Sequence, residues 1–374
     1  MCHHFRPEFR SAGHTAAHSI STPYLSAETP MNKKLLSAVV AASLLAPAAA
    51  FANPNWEFYG RAHLSVDWLD DGQEDGLNVN SNSSRIGFKA NHELTEGLKA
   101  IMQVEQEVRY ENGAGSWASR DSFIGLQGDF GMLRLGFFDT PLKIVRGQVD
   151  MFGDQIGDGR NLTRLRDGYS GGDYDFDTRF RNGIHYQTPK FGNVHVDVHY
   201  STNTDSGITT DNDNDAISIA ATYSTSALYL AGAYEVKNET SSDALRFGAK
   251  YTAGPFTIAG LAQFATIKDS TLVADQDVTT WGLGGSYALN DKLTLKGQYY
   301  WLSADGSDRD ANMAVVGLDY RIARPFRLMF AYAATSNDDL ARYSMARGGH
   351  GAQLAPAAPG ENPQGFSVGF RYDF

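Results

Sequence analysis

The feature that most constrains the fold is a series of segments in which apolar and polar side chains alternate. In residues 193–202, the apolar positions are Val194, Val196, Val198 and Tyr200, and the polar ones are His195, Asp197 and His199. A period of two is that of a β-strand, whose successive side chains point to opposite faces. Alternating segments of about ten residues are typical of transmembrane β-barrels, which face lipid outside and water inside.

The pattern and the turn signals between segments predict sixteen strands, at 56–68, 83–94, 98–110, 120–129, 132–140, 179–188, 193–202, 215–225, 227–236, 244–252, 256–267, 278–289, 293–303, 311–323, 326–335 and 364–374. An even number is expected of a closed bacterial barrel. Turns of a few residues alternate with longer polar loops such as 203–214, 268–277 and 336–363. The predicted fold class is therefore all-β, a 16-stranded antiparallel transmembrane β-barrel with short periplasmic turns and long external loops.

A secreted β-sandwich or propeller is the soluble alternative, because it also has many short alternating strands. Such a protein would have similar loops at both ends of its strands. In this chain the loop lengths fall into two classes, and aromatic residues lie near the strand ends. No apolar run of 18 residues follows Ala52, so transmembrane helices are not predicted.

The N-terminal region is predicted to lie outside the barrel. Residues 31–52 carry two lysines, a short apolar stretch and the sequence Ala50-Phe51-Ala52, which is the order of a secretory signal peptide. We expect cleavage after Ala52, which leaves 53–374 as the barrel domain. Residues 1–30 precede a complete signal peptide, so Met31 is the expected start, with a genuine extension as the alternative.

Charge and cysteine content exclude other classes. Cleavage removes four basic and two acidic residues, so the formal net charge of −11 becomes −13, which argues against nucleic-acid binding. Cys2 is the only cysteine and lies upstream of the cleavage site. A small disulfide-stapled secreted fold is therefore excluded.

The C-terminus provides a second targeting signal. The chain ends with alternating apolar residues, of which Tyr372 and Phe374 are the last two. This ending resembles the signal that the barrel-assembly machinery reads in outer-membrane proteins. An apolar strand with an unpaired edge is suited to recognition by β-augmentation. Tyr372 and Phe374 are therefore the predicted assembly signal.

Several ordered segments resemble the trimeric general porins of Gram-negative bacteria. They are Arg85–Lys89, Arg120–Leu126, Leu135-Gly136 and Arg179–Pro189, which resemble the family's strands two, four, five and six. The resemblance implies a Sec-exported homotrimer in the outer membrane, in contact with lipids and lipopolysaccharide. It also implies passive diffusion of ions and small hydrophilic solutes, without a cofactor.

The longest connection before the C-terminal region, residues 141–178, corresponds to the third loop of that family, which folds into the pore. It carries Asp150, Asp154 and Asp158 at intervals of four, which would lie on one side of a helical turn. The resemblance implies that these three form an acidic constriction loop. The loop departs from a purely acidic pattern because it also carries Lys143, Arg146, Arg160, Arg164 and Arg166.

A basic wall is expected opposite this loop. Alternation places Arg85 and Lys89 on the lumen side. It places Arg179 and Arg181 on the same face as His185, which is also the lumen side. Arg120 precedes Phe123, which is expected on the lipid side. Arginine near the midplane of the lipid face costs roughly 2–4 kcal/mol, which favours the lumen. The resemblance assigns Arg85, Arg120 and Arg179 to the family's arginine cluster. Alternation adds Lys89 and Arg181 to the predicted basic wall.

Other chemistry is sparse. His195 and His199 could bind a metal, and Asp211, Asp213 and Asp215 could attract divalent cations, but pore-lining and solvated-loop roles are preferred, and no metal is predicted. No nucleophile elbow, P-loop or dinucleotide motif appears, so the chain is not expected to be an enzyme. A barrel enzyme, an adhesin and a substrate-specific channel remain the alternatives.

Overall fold

The computed structural model describes residues 55–165, 175–205, 207, 213–238, 240–268, 276–306 and 308–374. The predicted extension at 1–30 and signal peptide at 31–52 lie outside the described residues. The predicted barrel domain is described from its third residue onward.

Within the part of the chain that the structure describes, seventeen strand segments form one antiparallel sheet, in which sequence neighbours pair. They are β1 (Asn55–Asp70), β2 (Asp75–Ser81), β3 (Arg85–Thr95), β4 (Leu98–Glu107), β5 (Ser122–Gly128), β6 (Gly131–Asp139), β7 (Arg179–Gln187), β8 (Val194–Ser201), β9 (Ala216–Ser224), β10 (Leu228–Lys237), β11 (Ser242–Ala253), β12 (Phe256–Ile267), β13 (Gln276–Ala288), β14 (Leu293–Ala304), β15 (Ala311–Ala323), β16 (Phe326–Asn337) and β17 (Gln364–Asp373).

The second barrel strand is interrupted. Both β2 and β3 pair with β1, β2 along its second half and β3 along its first half. They are separated by residues 82–84, where Ser83 has a left-handed φ of 51°. The Ser84 hydroxyl and the backbone N–H of His63 lie 2.9 Å apart and bridge the break. Counted as one strand, β2 and β3 give the predicted sixteen, which is confirmed.

The sheet closes through its terminal strands. β1 pairs with β17 from Arg61 opposite Asp373 to Asp70 opposite Gln364. The N–H groups of Gly60 and Phe374 donate to each other's carbonyl oxygen at 2.8 and 3.0 Å. Closure leaves no edge, so every strand can satisfy its backbone hydrogen bonds within lipid. The ring of Phe374 occupies the space that a Cβ on Gly60 would need.

Loop lengths are less regular than the sequence predicts. The connections at one end have two to six residues. The opposite end carries the long loops, but also three connections of four to six residues, 71–74, 238–241 and 305–310, because the adjoining strands extend further. The prediction that loop lengths fall into two separate classes is therefore wrong at these three positions, although the remaining connections at this end are long.

The two faces of the sheet differ as alternation predicts. The outer face exposes large apolar side chains, among them Phe88, Ile124, Phe247, Trp281 and Val316. The inner face carries buried polar side chains, including His185, Arg246, Gln263 and Thr280.

The third loop lies inside the barrel. After β6 it forms a helix, α1 (Pro141–Val149), whose first turn is capped by the Thr140 hydroxyl, which accepts from the Lys143 N–H at 3.3 Å. The helix packs on β9–β12. Within the described ranges, no helix is long and apolar enough to cross a membrane.

Small residues on the inner wall make room for α1. Leu142, Val145 and Val149 are buried against alanines of the wall, and a Cβ on Gly248 would lie 2.8 Å from Val145. Burial of each apolar side chain contributes about 1.5–3 kcal/mol, so the helix is firmly seated.

The last external loop, residues 338–363, packs on the third loop. Met345 is buried with Ile156, and its carbonyl accepts from the Gly157 N–H at 2.6 Å. The same carbonyl accepts from the Asn161 side chain at 2.8 Å. The third loop is therefore held between the barrel wall and the last loop.

Candidate functional site

A charged cavity of about 360 Å³ lies between the third loop and the opposite barrel wall. Among the described residues, ten basic side chains line it: Arg61, Arg85, Arg120, Lys143, Arg146, Arg160, Arg179, Lys296, Arg327 and Arg371. Four carboxylates line it: Asp139, Asp150, Asp154 and Asp319. The surface that faces the water path is thus predominantly basic.

Three arginines predicted for the basic wall lie together in this cavity. Arg85 begins β3, directly across from Arg61 on β1. Arg120 lies two residues before β5, so the predicted strand 120–129 starts too early. Its Nε donates to Glu105 at 2.6 Å. Arg179 begins β7, and its Nε contacts Asp121 at 2.6 Å.

Asp154, at the tip of the third loop, contacts the basic wall directly. Its Oδ2 lies 3.3 Å from both Arg61 and Arg85, and its Oδ1 lies 3.1 Å from Arg160. Burial alone would raise the pKa of Asp154, but these cations outweigh it and hold the pKa well below its usual range. Asp154 therefore stays ionised at neutral pH.

Asp150 and Asp158 do not face the wall as predicted. α1 ends at Val149 and the chain continues in turns, with Asp154 and Gly157 at positive φ, so the expected helical spacing does not exist. Both carboxylates are fully buried on Arg146 Nη1, at 2.8 and 3.1 Å. Asp158 also accepts from Arg160. These two carboxylates are therefore paired with arginines of the loop itself.

The close approach of these two carboxylates affects their titration. Burial, followed by the charge of Asp158, raises the pKa of Asp150 to about 7, although Arg146 opposes the shift. Asp158 shows the opposite result, because Arg160 and Arg146 overcome the effect of burial and lower its pKa. Of the two, Asp150 is therefore the carboxylate that binds a proton more readily.

Lys89 and Arg181 lie outside the cavity. Lys89 faces the lumen as predicted, but it is four residues below Arg85 and its Nζ lies over the Tyr59 ring, 4.3 Å from the centroid. Arg181 is exposed and donates to the Thr204 carbonyl at 3.1 Å. The expected alternation fails there because of a register shift between Gly136 and Phe138 and a positive φ at Asn182.

Phe123 also lies on the face opposite to the one predicted. Its ring packs edge-on against Phe138 at 5.8 Å, and the guanidinium of Arg134 lies over it at 4.9 Å. Ile124 and Leu126 are the exposed apolar residues of β5. The strand begins after Arg120 with a different phase from the one the sequence suggests.

Four basic cavity residues of the barrel wall went unrecognised as site members: Arg61, Lys296, Arg327 and Arg371. Their signal was available, because each alternates with outward-facing residues of its strand; Arg371, for example, lies between the exposed Phe370 and Tyr372. The sequence did not show where these residues lie along the barrel axis, because that position depends on strand register.

The histidines of β7 and β8 lie close together, with the rings of His185 and His199 5.7 Å apart. His185 and His195 each contact one oxygen of Asp197, at 3.0 and 3.2 Å. His199 stacks on Phe138 with ring centroids 4.3 Å apart. Among the described residues, no group of three or more His, Cys, Asp or Glu could hold a metal ion. Asp211 lies outside the described residues, and Asp215 accepts from the Tyr200 hydroxyl at 2.9 Å.

The closed sheet, apolar outer wall and charged inner cavity define an outer-membrane β-barrel of the channel-forming class. The sequence profile of the Gram-negative porins matches residues 37–340, and the chain belongs to this family. It is accordingly a protein of the Gram-negative outer membrane.

Curated relatives match part of the chain. The major outer membrane protein P.IB of Neisseria meningitidis serogroup B is 32% identical over 184 residues, 47% of this chain and 51% of that protein. The same protein from Neisseria gonorrhoeae is 35% identical over 127 residues, 32% of this chain and 35% of its own. The chain spans about half or less of the length of these relatives.

Solved structures share the fold over most of the chain. The anion-selective porin from Comamonas acidovorans superposes with a TM-score of 0.72 at 23% identity, covering 86% of this chain and 100% of its own. Salmonella typhi OmpF in complex with daunomycin gives a TM-score of 0.64 at 14% identity, covering 85% and 97%. At these identities the likeness concerns the fold.

Proposed function

We propose that the protein forms a water-filled channel through which ions and small hydrophilic solutes diffuse passively, with a preference for anions and without catalysis. The observation that carries this proposal is the cavity lining of ten basic residues and four carboxylates. A ring of fixed charge at a narrow, low-dielectric passage focuses its field on the permeating ion.

The net charge of the chain is negative, so the anion preference depends on where the charges lie. Several acids that neutralise the arginines lie behind them and away from the water path; Asp158 and Asp177, for example, are fully buried. Coulomb energy falls with distance and with screening, so the charges nearest the permeating ion dominate.

Individual roles follow from the contacts. Arg85, Arg120 and Arg179 form the basic side of the constriction, together with Arg61. Asp154 forms its acidic side and joins the loop tip to the wall. Asp150 and Asp158 act within the loop, where they hold Arg146 in place.

The assembly is proposed to be a homotrimer embedded in lipids and lipopolysaccharide. A trimer form of OmpT from Vibrio cholerae has this fold, with a TM-score of 0.65 at 18% identity and coverage of 86% and 99%. Export by the signal peptide at 31–52 and insertion by the barrel-assembly machinery complete the proposal. The trimer should migrate as a high-mass band in mild detergent and shift to the monomer position on heating.

The function is tested with purified, folded protein in a planar bilayer under a tenfold salt gradient. Ion-conducting steps and a reversal potential of the sign given by anion permeation are expected. The description of the Comamonas acidovorans porin as anion-selective agrees with this expectation. Absence of conductance would overturn the channel, and a cation-selective reversal potential would overturn the anion preference.

A further inference from the structure

Arg246, on the inner face of β11, connects the barrel wall to three separate parts of the third loop. Its side chain is completely buried. Nη1 donates to the Leu142 carbonyl and to Asp177 Oδ1, both at 2.9 Å. Nη2 donates to Asp177 Oδ2 at 3.1 Å and to the Thr163 carbonyl at 3.5 Å. One guanidinium thus holds the beginning, the middle and the end of the loop.

The barrel holds this guanidinium in one orientation. Gln263, on the neighbouring strand β12, accepts from Arg246 Nε at 2.9 Å, and its own amide donates to the Thr163 carbonyl at 2.9 Å. The planar fork of arginine suits the bidentate contact with Asp177. Lysine could supply the charge but not this geometry.

Asp177 links Arg246 to a series of ion pairs that crosses the lumen. The successive N···O distances are 3.2 Å for Arg146–Asp177, 3.1 Å for Arg146–Asp158, 3.1 Å for Arg160–Asp158, 3.1 Å for Arg160–Asp154 and 3.3 Å for Arg85–Asp154. This series of ion pairs begins on β11 and ends on the opposite wall at β3. The loop is therefore attached at both sides of the pore.

The partners of Arg246 show that its side chain mainly holds the loop and contributes little to the pairing of the barrel strands. Among the described residues, Arg246 has four hydrogen-bond partners: Leu142, Thr163 and Asp177 belong to the loop, and Gln263 belongs to the wall. The strand β11 is itself held by full backbone pairing with β10 and β12. Loss of the guanidinium should therefore release the loop before it disturbs the sheet.

We propose that Arg246 is a positioning residue for the pore, because through Asp177 it fixes where the third loop crosses the lumen and so determines the size limit and the anion preference. This inference rests on the proposed channel function, since both properties require a conducting pore.

The test uses the full, folded protein in planar bilayers with four variants: Arg246→Gln, Arg246→Lys, Asp177→Asn and the double variant Arg246→Gln with Asp177→Asn. Single-channel conductance, exclusion of neutral polymers of graded size, and the anion-to-cation permeability ratio are measured. Lys250→Gln is the matched control, since Lys250 lies on the inner face of the same strand, where its Nζ lies over the Tyr229 ring.

Arg246→Gln should admit larger polymers and raise conductance. Its permeability ratio should fall about twofold towards unity, because field focusing weakens in a wider opening. Asp177→Asn should change these properties in the same direction. The double variant should change the size limit and permeability ratio no more than either single variant, since each single substitution already removes the Arg246–Asp177 contact. Arg246→Lys should be intermediate. Lys250→Gln should keep the wild-type size limit.

Two results would overturn the proposal while leaving the channel function intact. One is an assembled Arg246→Gln variant with wild-type size limit and permeability ratio. If that variant fails to assemble, Asp177→Asn provides the test, because it leaves every barrel strand unchanged. Wild-type size limit and permeability ratio in Asp177→Asn are the second result that would overturn the proposal. Failure of the proposed function would instead appear as a wild-type protein that does not conduct.

Discussion

The carboxylate of Asp154 lies 3.3 Å from the guanidinium of Arg85, so the tip of the third loop is joined by an ion pair to the opposite wall of the barrel. This contact narrows the lumen from both sides. Arg85 and Asp154 are therefore in direct contact, with no layer of water between their charged groups.

Asp154→Asn should increase the anion preference. The change removes the one carboxylate shared by Arg61, Arg85 and Arg160, and unpairing a buried ion pair costs roughly 3–5 kcal/mol, so the loop tip should also loosen. We expect the anion-to-cation permeability ratio at 0.1 M salt to rise about twofold, where screening reaches about 10 Å. Asp129→Asn, an exposed turn carboxylate, is the control, and an equal effect there would contradict the assignment.

Arg85→Ser with Arg120→Ser should have the opposite effect. It removes two lining cations and leaves Glu105 and Asp154 with fewer partners, so the reversal potential should move towards cations. Loss of two long side chains should also raise the size limit. The shift should shrink at 1 M salt, where the Debye length is about 3 Å. Arg324→Ser, on an exposed turn, should leave the reversal potential unchanged.

The selectivity should depend on pH near neutrality through Asp150. Burial beside Asp158 raises the pKa of Asp150 to about 7, so this carboxyl is largely neutral at pH 6 and largely ionised at pH 8. Lowering the pH across this range removes a negative charge from the cavity lining, and the anion permeability ratio should therefore rise. Asp150→Asn should abolish this step in a titration of reversal potential; a persistent step would assign it to another group.

Deletion of Phe374, or replacement of Tyr372 and Phe374 by polar residues, should impair assembly. Tyr372 lies on β17, the strand that closes the barrel, and Phe374 follows directly after that strand. The Phe374 backbone exchanges two hydrogen bonds with Gly60. The variant should accumulate in the periplasm and be degraded, which fractionation and surface labelling would measure. Phe256→Ser, at an exposed outer-wall site, is the control. Normal surface levels of the Phe374 deletion would refute the assembly signal.

Much of the barrel could be predicted because alternation is a local property. The inner and outer faces of β1, with Arg61, His63 and Asp67 inward and Phe58 and Val66 outward, follow directly from a period of two. The same argument failed at Arg181 and Phe123. There, a register shift in the pairing of β6 with β7 and an uncertain strand start changed the phase, and neither leaves a local signal in the sequence.

The candidate site was only partly predictable for a related reason. Arg85, Arg120 and Arg179 lie together in the cavity, whereas Asp150 and Asp158 turn towards Arg146. The sequence could show that the third loop holds both acids and bases. It could not show which of them pair, because pairing depends on turns at Asp154 and Gly157 that place residues several positions apart in contact.

The sequence by itself determined the fold class, the number of strands and the side of most side chains, since these depend on a two-residue period and on turn chemistry. Only the tertiary structure decided the height of each charge along the barrel, the partners of the loop carboxylates and the buried anchor at Arg246. Those features arise from strand register and from loop packing across the lumen, where residues far apart in the chain meet in a low-dielectric interior and select partners by geometry.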